Sequence, residues 1–173
     1  MKLDHYKYFL HSWFRDIEKL EIDVSGLPLD HLGYSVASSK EYDEIKIELL
    51  KLGKLVREVI IGGRRVSVFR LTKPLKYKDY SISALELVEP KSGEKPLSGF
   101  EHAEFTISGP FEDIVKKYPN LPWDTTNIER PDFPRLKLVF DNRAELKFNF
   151  HLIRPWSSKS FTRGSKSLNS FIS

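Results

Sequence analysis

The chain contains no cysteine, and that absence removes three kinds of chemistry at once. There are no disulfides, no thiolate metal sites and no cysteine nucleophile, which fits a reducing, cytoplasmic setting. No apolar run approaches the length that crosses a bilayer, and the N-terminus lacks the apolar core of a signal peptide. The serines form no nucleophile elbow, and Gly62-Gly63-Arg64-Arg65 lacks the strand-to-helix context of a phosphate loop. A large excess of one sign of charge is absent as well. Of a net +4, three charges are Lys159, Arg163 and Lys166, in a segment (157–173) that holds no acid. The basic balance therefore belongs largely to a tail and gives little reason to expect a nucleic-acid partner.

What is present is globular in character. Of 173 residues, 40% are apolar and 13% aromatic, enough for one domain with a sizeable core or two small fused modules. Residues 3–21 read as an amphipathic helix whose stripe (Tyr6, Phe9, Leu10, Trp13, Phe14, Ile17, Leu20) is better suited to a core than to a partner. Ser25-Gly26-Leu27-Pro28 ends it. A strand over 29–37 follows, then a helix over 39–52 capped by Ser38 or Ser39. Two β-rich runs, 54–61 and 65–71, flank the Gly62-Gly63 hairpin signal, with Lys73-Pro74 expected to end the second. Residues 80–88 make a fourth strand. The polar connection from Pro90 to Gly99 is a natural boundary, after which the order repeats: a strand over 99–107, a short helix over 110–118, and strands at 135–140 and 144–152. Four prolines between 119 and 134 leave room only for a short or irregular strand. The expected architecture is α+β: two tandem βαβββ modules, 27–90 and 98–152, in a domain spanning 27–156. An N-terminal helical segment (1–26) precedes it and a flexible basic tail (157–173) follows.

Alternation then separates the strand faces. His31, Gly33 and Ser35 share one face of the first strand; His102, Glu104 and Thr106 share one face of the fifth, with Phe100 beside them by parity. Glu145, Lys147, Asn149 and His151 form the polar face of the last strand. In the fourth, Glu86 sits among Ile82, Ala84 and Val88, so it should be partly buried and need a cation, a metal or several donors as partner. His31, Glu86 and His102 have the composition of a two-histidine, one-carboxylate site for Zn, Ni, Fe or Mn. The competing reading is three polar residues satisfied separately by hydrogen bonds. Arg64 and Lys147 are candidates for holding an anionic substrate. Glu58 either shares the cavity or pairs with an arginine on a strand face.

The ordered series of Asp30-His31, Gly53 through Glu58 to Gly63-Arg64, Phe69-Arg70-Leu71 with Pro74, Glu86-Leu87, and Gly99-Phe100-Glu101-His102 with Glu104 resembles the bacterial YecM family of the vicinal oxygen chelate superfamily. That superfamily includes glyoxalase I, extradiol dioxygenases and bleomycin-resistance proteins. The resemblance spans roughly residues 27–150. It implies a divalent metal between the modules, bound by His31, Glu86 and His102, with Glu145 nearest to the usual fourth ligand and Lys147 on the same face. It further implies an isomerase, lyase or oxidoreductase acting on a small oxygen-rich molecule, with Glu104 or Glu145 as base. The alternatives are a non-catalytic protein that sequesters a small ligand, and an interaction protein working through the aromatic helix or the tail.

Overall fold

The computed structural model describes residues 3–94, 96–131 and 133–150; the expected tail, His151 and the end of the last expected strand lie outside them. After a short 3-10 turn at Leu3–His5 come α1 (Tyr6–Lys19), β1 (Leu29–Ser35), α2 (Ser39–Leu52), β2 (Gly53–Ile61), β3 (Arg64–Tyr77), β4 (Tyr80–Val88), β5 (Gly99–Thr106), α3 (Phe111–Lys117), β6 (Leu136–Val139) and β7 (Glu145–Asn149). The strands form one mixed sheet in the order β2-β3-β4-β1-β5-β7-β6. The first half thus follows the expected β-α-β-β-β order. The proline-rich stretch of the second half contributes only an isolated bridge between Asp124 and Lys137, so the described sheet has seven strands.

The two halves join along β1 and β5, which pair antiparallel; on either side, β1 pairs parallel with β4 and β5 parallel with β7. His31, Glu86, His102, Glu104, Glu145 and Lys147 lie on these four strands, and Arg64 starts β3. One sheet face is apolar: Leu32, Leu85, Leu87, Phe69, Ala103, Phe105, Leu146 and Phe148 are all buried. Against it α1 lays Leu10, Trp13, Phe14 and Ile17, also buried. Trp13 stacks on Phe105 with centroids 5.4 Å apart, and its indole N–H donates to the Glu145 carbonyl at 3.0 Å. Phe14 stacks on Tyr77 and Tyr80 of the β3–β4 hairpin. The aromatic stripe is therefore committed to the core and joins both halves. In α2, the Ser38 hydroxyl accepts the Glu41 N–H at 3.1 Å, satisfying one of the open donors of the first turn.

Three local expectations are corrected. β3 runs past Pro74 to Tyr77, because the proline falls in the ladder irregularity between Arg70 and Leu75, where its missing N–H costs no strand bond. Phe100 does not share the His102 face. β5 bulges between His102 and Phe100, which turns the Phe100 ring toward Tyr34 and Phe9 on the apolar side. Of the two readings of Glu58, pairing holds, but not with an arginine: it accepts hydrogen bonds from Tyr42 and Ser67 and pairs with Lys46 of α2.

Candidate metal centre

The polar face of the sheet is organised as two rows of neighbours. One row reads Glu86, Gly33, His102, Glu145 across β4, β1, β5 and β7. The next reads Ala84, His31, Glu104, Lys147 across the same strands. Adjacent strands lie about 4.8 Å apart, so these side chains converge from residues distant in sequence.

His31 and His102 meet at the centre, ring centroids 5.6 Å apart and nearly perpendicular. Both are buried, at 4% and 1% exposure. The His31 Nδ1–H donates to Asp30 Oδ2 at 2.8 Å, and the His102 Nδ1–H donates to Glu101 Oε1 at 3.2 Å. Each carboxylate immediately precedes its histidine, and each sits at a bulge of the β1–β5 ladder that brings neighbouring side chains to one side. With the Nδ1 protons held in this way, Nε2 is the ring atom of each histidine left to bind a cation, once any proton it carries is displaced. Neither Nε2 has a hydrogen-bond partner, although both are buried. Glu104 Oε2 lies 3.4 Å from His31 Nε2 and Glu86 Oε1 lies 3.5 Å from His102 Nε2; both are near enough for charge attraction but are not aligned as hydrogen bonds. Asn149 fixes the other Glu104 oxygen by donating at 2.6 Å. His31, His102 and Glu104 each offer a donor atom within 4.8 Å of the others.

Without a metal, the surrounding acids draw a proton to His31, which a bound cation would displace. Burial disfavours the charged form of His31, but Glu104, Asp30 and Glu86 outweigh it and raise the imidazole to about 9. Burial likewise opposes ionisation of Glu86, yet His102, His31, Lys147 and Arg135 hold it below the ordinary carboxylate value. The cluster thus carries concentrated negative charge that a cation relieves. Buried imidazole nitrogens without partners, carboxylates beside them and carboxylates behind them match the donor set and outer-sphere support of a divalent metal. The residues present fit such an ion.

Gly33 makes this convergence possible. A Cβ there would lie 1.9 Å from the His102 ring, so the ring occupies the volume that any other residue would fill. Glu145 pairs with Lys147 at 2.9 Å and Lys137 at 3.4 Å, which sets it apart from the imidazoles. Arg64 shares the polar face but stands at the hairpin, four residues along β3 from Val68, the partner of Glu86, or about 13 Å at strand rise. The sequence reading gave no role to Asp30, Glu101, Asn149, Arg135 or Gly33. An acid directly before each histidine was a visible signal for the first two; strand parity alone concealed it. A cavity of about 830 Å³ lies elsewhere, between α1, the segment leading into β1 and the β3–β4 hairpin, and touches this cluster through Asp30.

The comparisons with known proteins agree with the fold. The model of the YecM protein family matches residues 2–147. An uncharacterized protein of Haemophilus influenzae is 32% identical over 164 residues, covering 86% of this chain and 85% of that protein. Protein YecM of Escherichia coli is 24% identical, covering 92% of this chain and 89% of that protein. A solved structural-genomics protein superposes with a TM-score of 0.71 at 22% identity over 84% of each chain. A variant of Streptomyces coelicolor methylmalonyl-CoA epimerase, in complex with 2-nitronate-propionyl-CoA, superposes with a TM-score of 0.55 at 12% identity, covering 74% of this chain and 97% of that one. At those identities the likeness is one of fold. The chain belongs to the YecM family, and its fold is like that of the epimerase structure.

Proposed function

We propose that this protein is a divalent-metal-dependent enzyme acting on a small oxygen-rich molecule, as an isomerase, lyase or oxidoreductase. One observation carries the reading: two buried imidazole Nε2 atoms converge without hydrogen-bond partners, each Nδ1 held by a carboxylate. An unpaired buried polar atom is costly, and two at one point call for a shared occupant. His31 and His102 are the nitrogen ligands, and Glu86 and Glu104 the carboxylate ligands. Glu104, expected from sequence as a base, takes the ligand role because its Oε2 faces His31 while Asn149 anchors Oε1. When bound, the metal supplies Lewis-acid stabilisation of negative charge on a substrate oxygen.

The chain's own residues do the rest. Asp30 and Glu101 keep the imidazoles in the ligating tautomer and orientation. Glu145, ionised between Lys147 and Lys137, is a weaker base than an unpaired carboxylate, and serves to hold Lys147 in place. Arg64, at the rim of the same face, is suited to meeting a distal part of a substrate. Residues 27–156 are taken as the working domain, with 1–26 as its packed N-terminal segment and 157–173 as a tail. The cytoplasm is the proposed location.

The test is elemental analysis of the purified, untagged protein beside His31→Ala, His102→Ala and Glu86→Ala. Near-stoichiometric metal in the parent, lost in each folded variant, is the expected result. A parent that retains no metal and takes up none of Zn, Ni, Fe or Mn overturns the reading.

A further inference from the structure

The core stripe of α1 leaves one large aromatic side chain outside it. Tyr8 is 78% exposed, although Tyr6 and Leu10 on either side of it are buried. His5 precedes Tyr8 by three residues and Phe9 by four, so the three side chains are neighbours on one flank of the helix. Tyr34 of β1 and Phe100 of β5 lie against that flank, and a cavity of about 380 Å³ opens among the five rings and the Ser98–Gly99 step into β5. This volume falls within the range of small-molecule sites. Its lining includes none of the metal-cluster residues.

The rings meet at corners rather than in one stack. Phe100 stands at 89° to Tyr34 with centroids 5.1 Å apart, and His5 at 86° to Tyr8 with centroids 6.2 Å apart. Phe9 lies against Phe100 at 5.9 Å. The first corner exists because the bulge in β5 turns Phe100 off the His102 face. Aromatic faces carry partial negative charge. The carboxylates around the cavity have the same sign. Glu41 Oε2 accepts from Ser98 Oγ at 2.5 Å and from the Ala37 N–H at 2.9 Å. Burial raises the Tyr34 hydroxyl above its ordinary value, and the charges of Glu41 and Glu48 raise it further. Of the lysines flanking these residues in sequence, Lys7 Nζ lies 5.9 Å from the Tyr6 ring centroid and Lys40 pairs with Glu44. His5 is the basic side chain of the lining itself. Ser98 Oγ gives its proton to Glu41 and accepts the Ala37 N–H at 3.0 Å, so that hydroxyl is already engaged.

We infer that this cavity is a second ligand site, for a small free organic cation whose ammonium group is fully methylated. A quaternary ammonium is attracted to aromatic faces within about 6 Å of their centroids. It carries charge without N–H donors, so it leaves no buried donor unpaired against a wall of rings. Its methyl groups bury against the same rings. A primary amine would give up its hydration and find few acceptors in exchange. Glu41, behind Ser98, adds attraction at longer range. The site stands apart from the metal centre and does not depend on a metal being bound.

The test is calorimetry of the full chain at constant ionic strength. The probes are choline and the uncharged alcohol in which carbon replaces the choline nitrogen, two molecules of the same shape that differ in charge. Choline is expected to bind saturably and about tenfold or more tighter than the alcohol, the size expected for a cation over desolvated rings. Tyr8→Ala should weaken choline by about fivefold or more, whereas Tyr8→Phe, which keeps the ring, should stay within about twofold of the parent. Because Tyr8 is exposed, both variants should melt with the parent. Absence of saturable choline binding overturns the proposal. So does equal affinity for choline and the alcohol, which would mark a merely apolar groove, and so does a folded Tyr8→Ala that binds choline as the parent does.

Discussion

The two halves of the sheet differ most where they look most alike. Both place an acid–histidine pair at a bulge beside the seam: Asp30-His31 in one, Glu101-His102 in the other. Two residues on, the first half has Gly33 and the second Glu104; one strand outward, the first has Glu86 and the second Lys147. Repetition of the acid–histidine pair builds two matched nitrogen donors. Divergence at the other two positions decides on which side the carboxylates stand and where a cation stands. A site between repeated modules can therefore be symmetric in what it binds at its centre and asymmetric in what approaches it.

The largest effect should come from the helix that joins the halves. Trp13 stacks on Phe105 and bonds to the Glu145 carbonyl, while its neighbour Phe14 packs on Tyr80. Trp13→Ala should cost about 3–5 kcal/mol, read as a lower urea midpoint, because a fully buried aromatic leaves a cavity at the seam. Giving the first half a side chain where it has none breaks the comparison next. In Gly33→Ala the new methyl must displace the His102 ring, so metal retention should fall in elemental analysis and stability should drop by about 1–3 kcal/mol. The converse change, Glu104→Gln, leaves the ring in place and should weaken metal while sparing the fold.

The acid–histidine pairs sharpen the comparison. Asp30→Asn and Glu101→Gln should each lower metal affinity by about 10–100-fold, measured by competition with a chelator. The shorter contact at Asp30 (2.8 Å against 3.2 Å) makes it the larger of the two. Equal losses would mean that the halves support the metal alike. The smallest effect belongs to the first half alone. Arg65 donates to both Glu89 oxygens, and these bonds hold Glu89 at about 2 against the opposing effect of burial. A depressed carboxylate stabilises the fold fully above its ordinary value of 4.5, and that stability is lost as pH falls toward 2. Glu89→Gln should flatten this acid limb in thermal melts between pH 5 and about pH 2.

Element order was legible because hydrophobic period reports locally: three- and four-residue spacing marked α1 and α2, and alternation marked β1, β5 and β7. Strand faces were legible wherever the strand was regular. They failed at Phe100, where a bulge shifts parity, and at Pro74, where an irregular ladder lets a strand pass a proline. His31, Glu86 and His102 stood out from residue type and resemblance, and the sheet places them in adjacent strands. Glu58 had two readings, and only the fold, which sets it against Tyr42, Ser67 and Lys46, decided between them.

By itself the sequence determined the class of fold, the core stripe of α1 and the supply of donors: two histidines each preceded by an acid, and carboxylates on half-buried strands. Those are properties of neighbours along the chain, set by side-chain type and backbone period. Only the tertiary structure decided that Glu104 faces His31, that Lys147 stands where Glu86 would have its counterpart, and that the space above Gly33 belongs to His102. The reason is physical. Pairing register and bulges are settled by the packing of the whole sheet, and a shift of one residue sends a side chain to the opposite face.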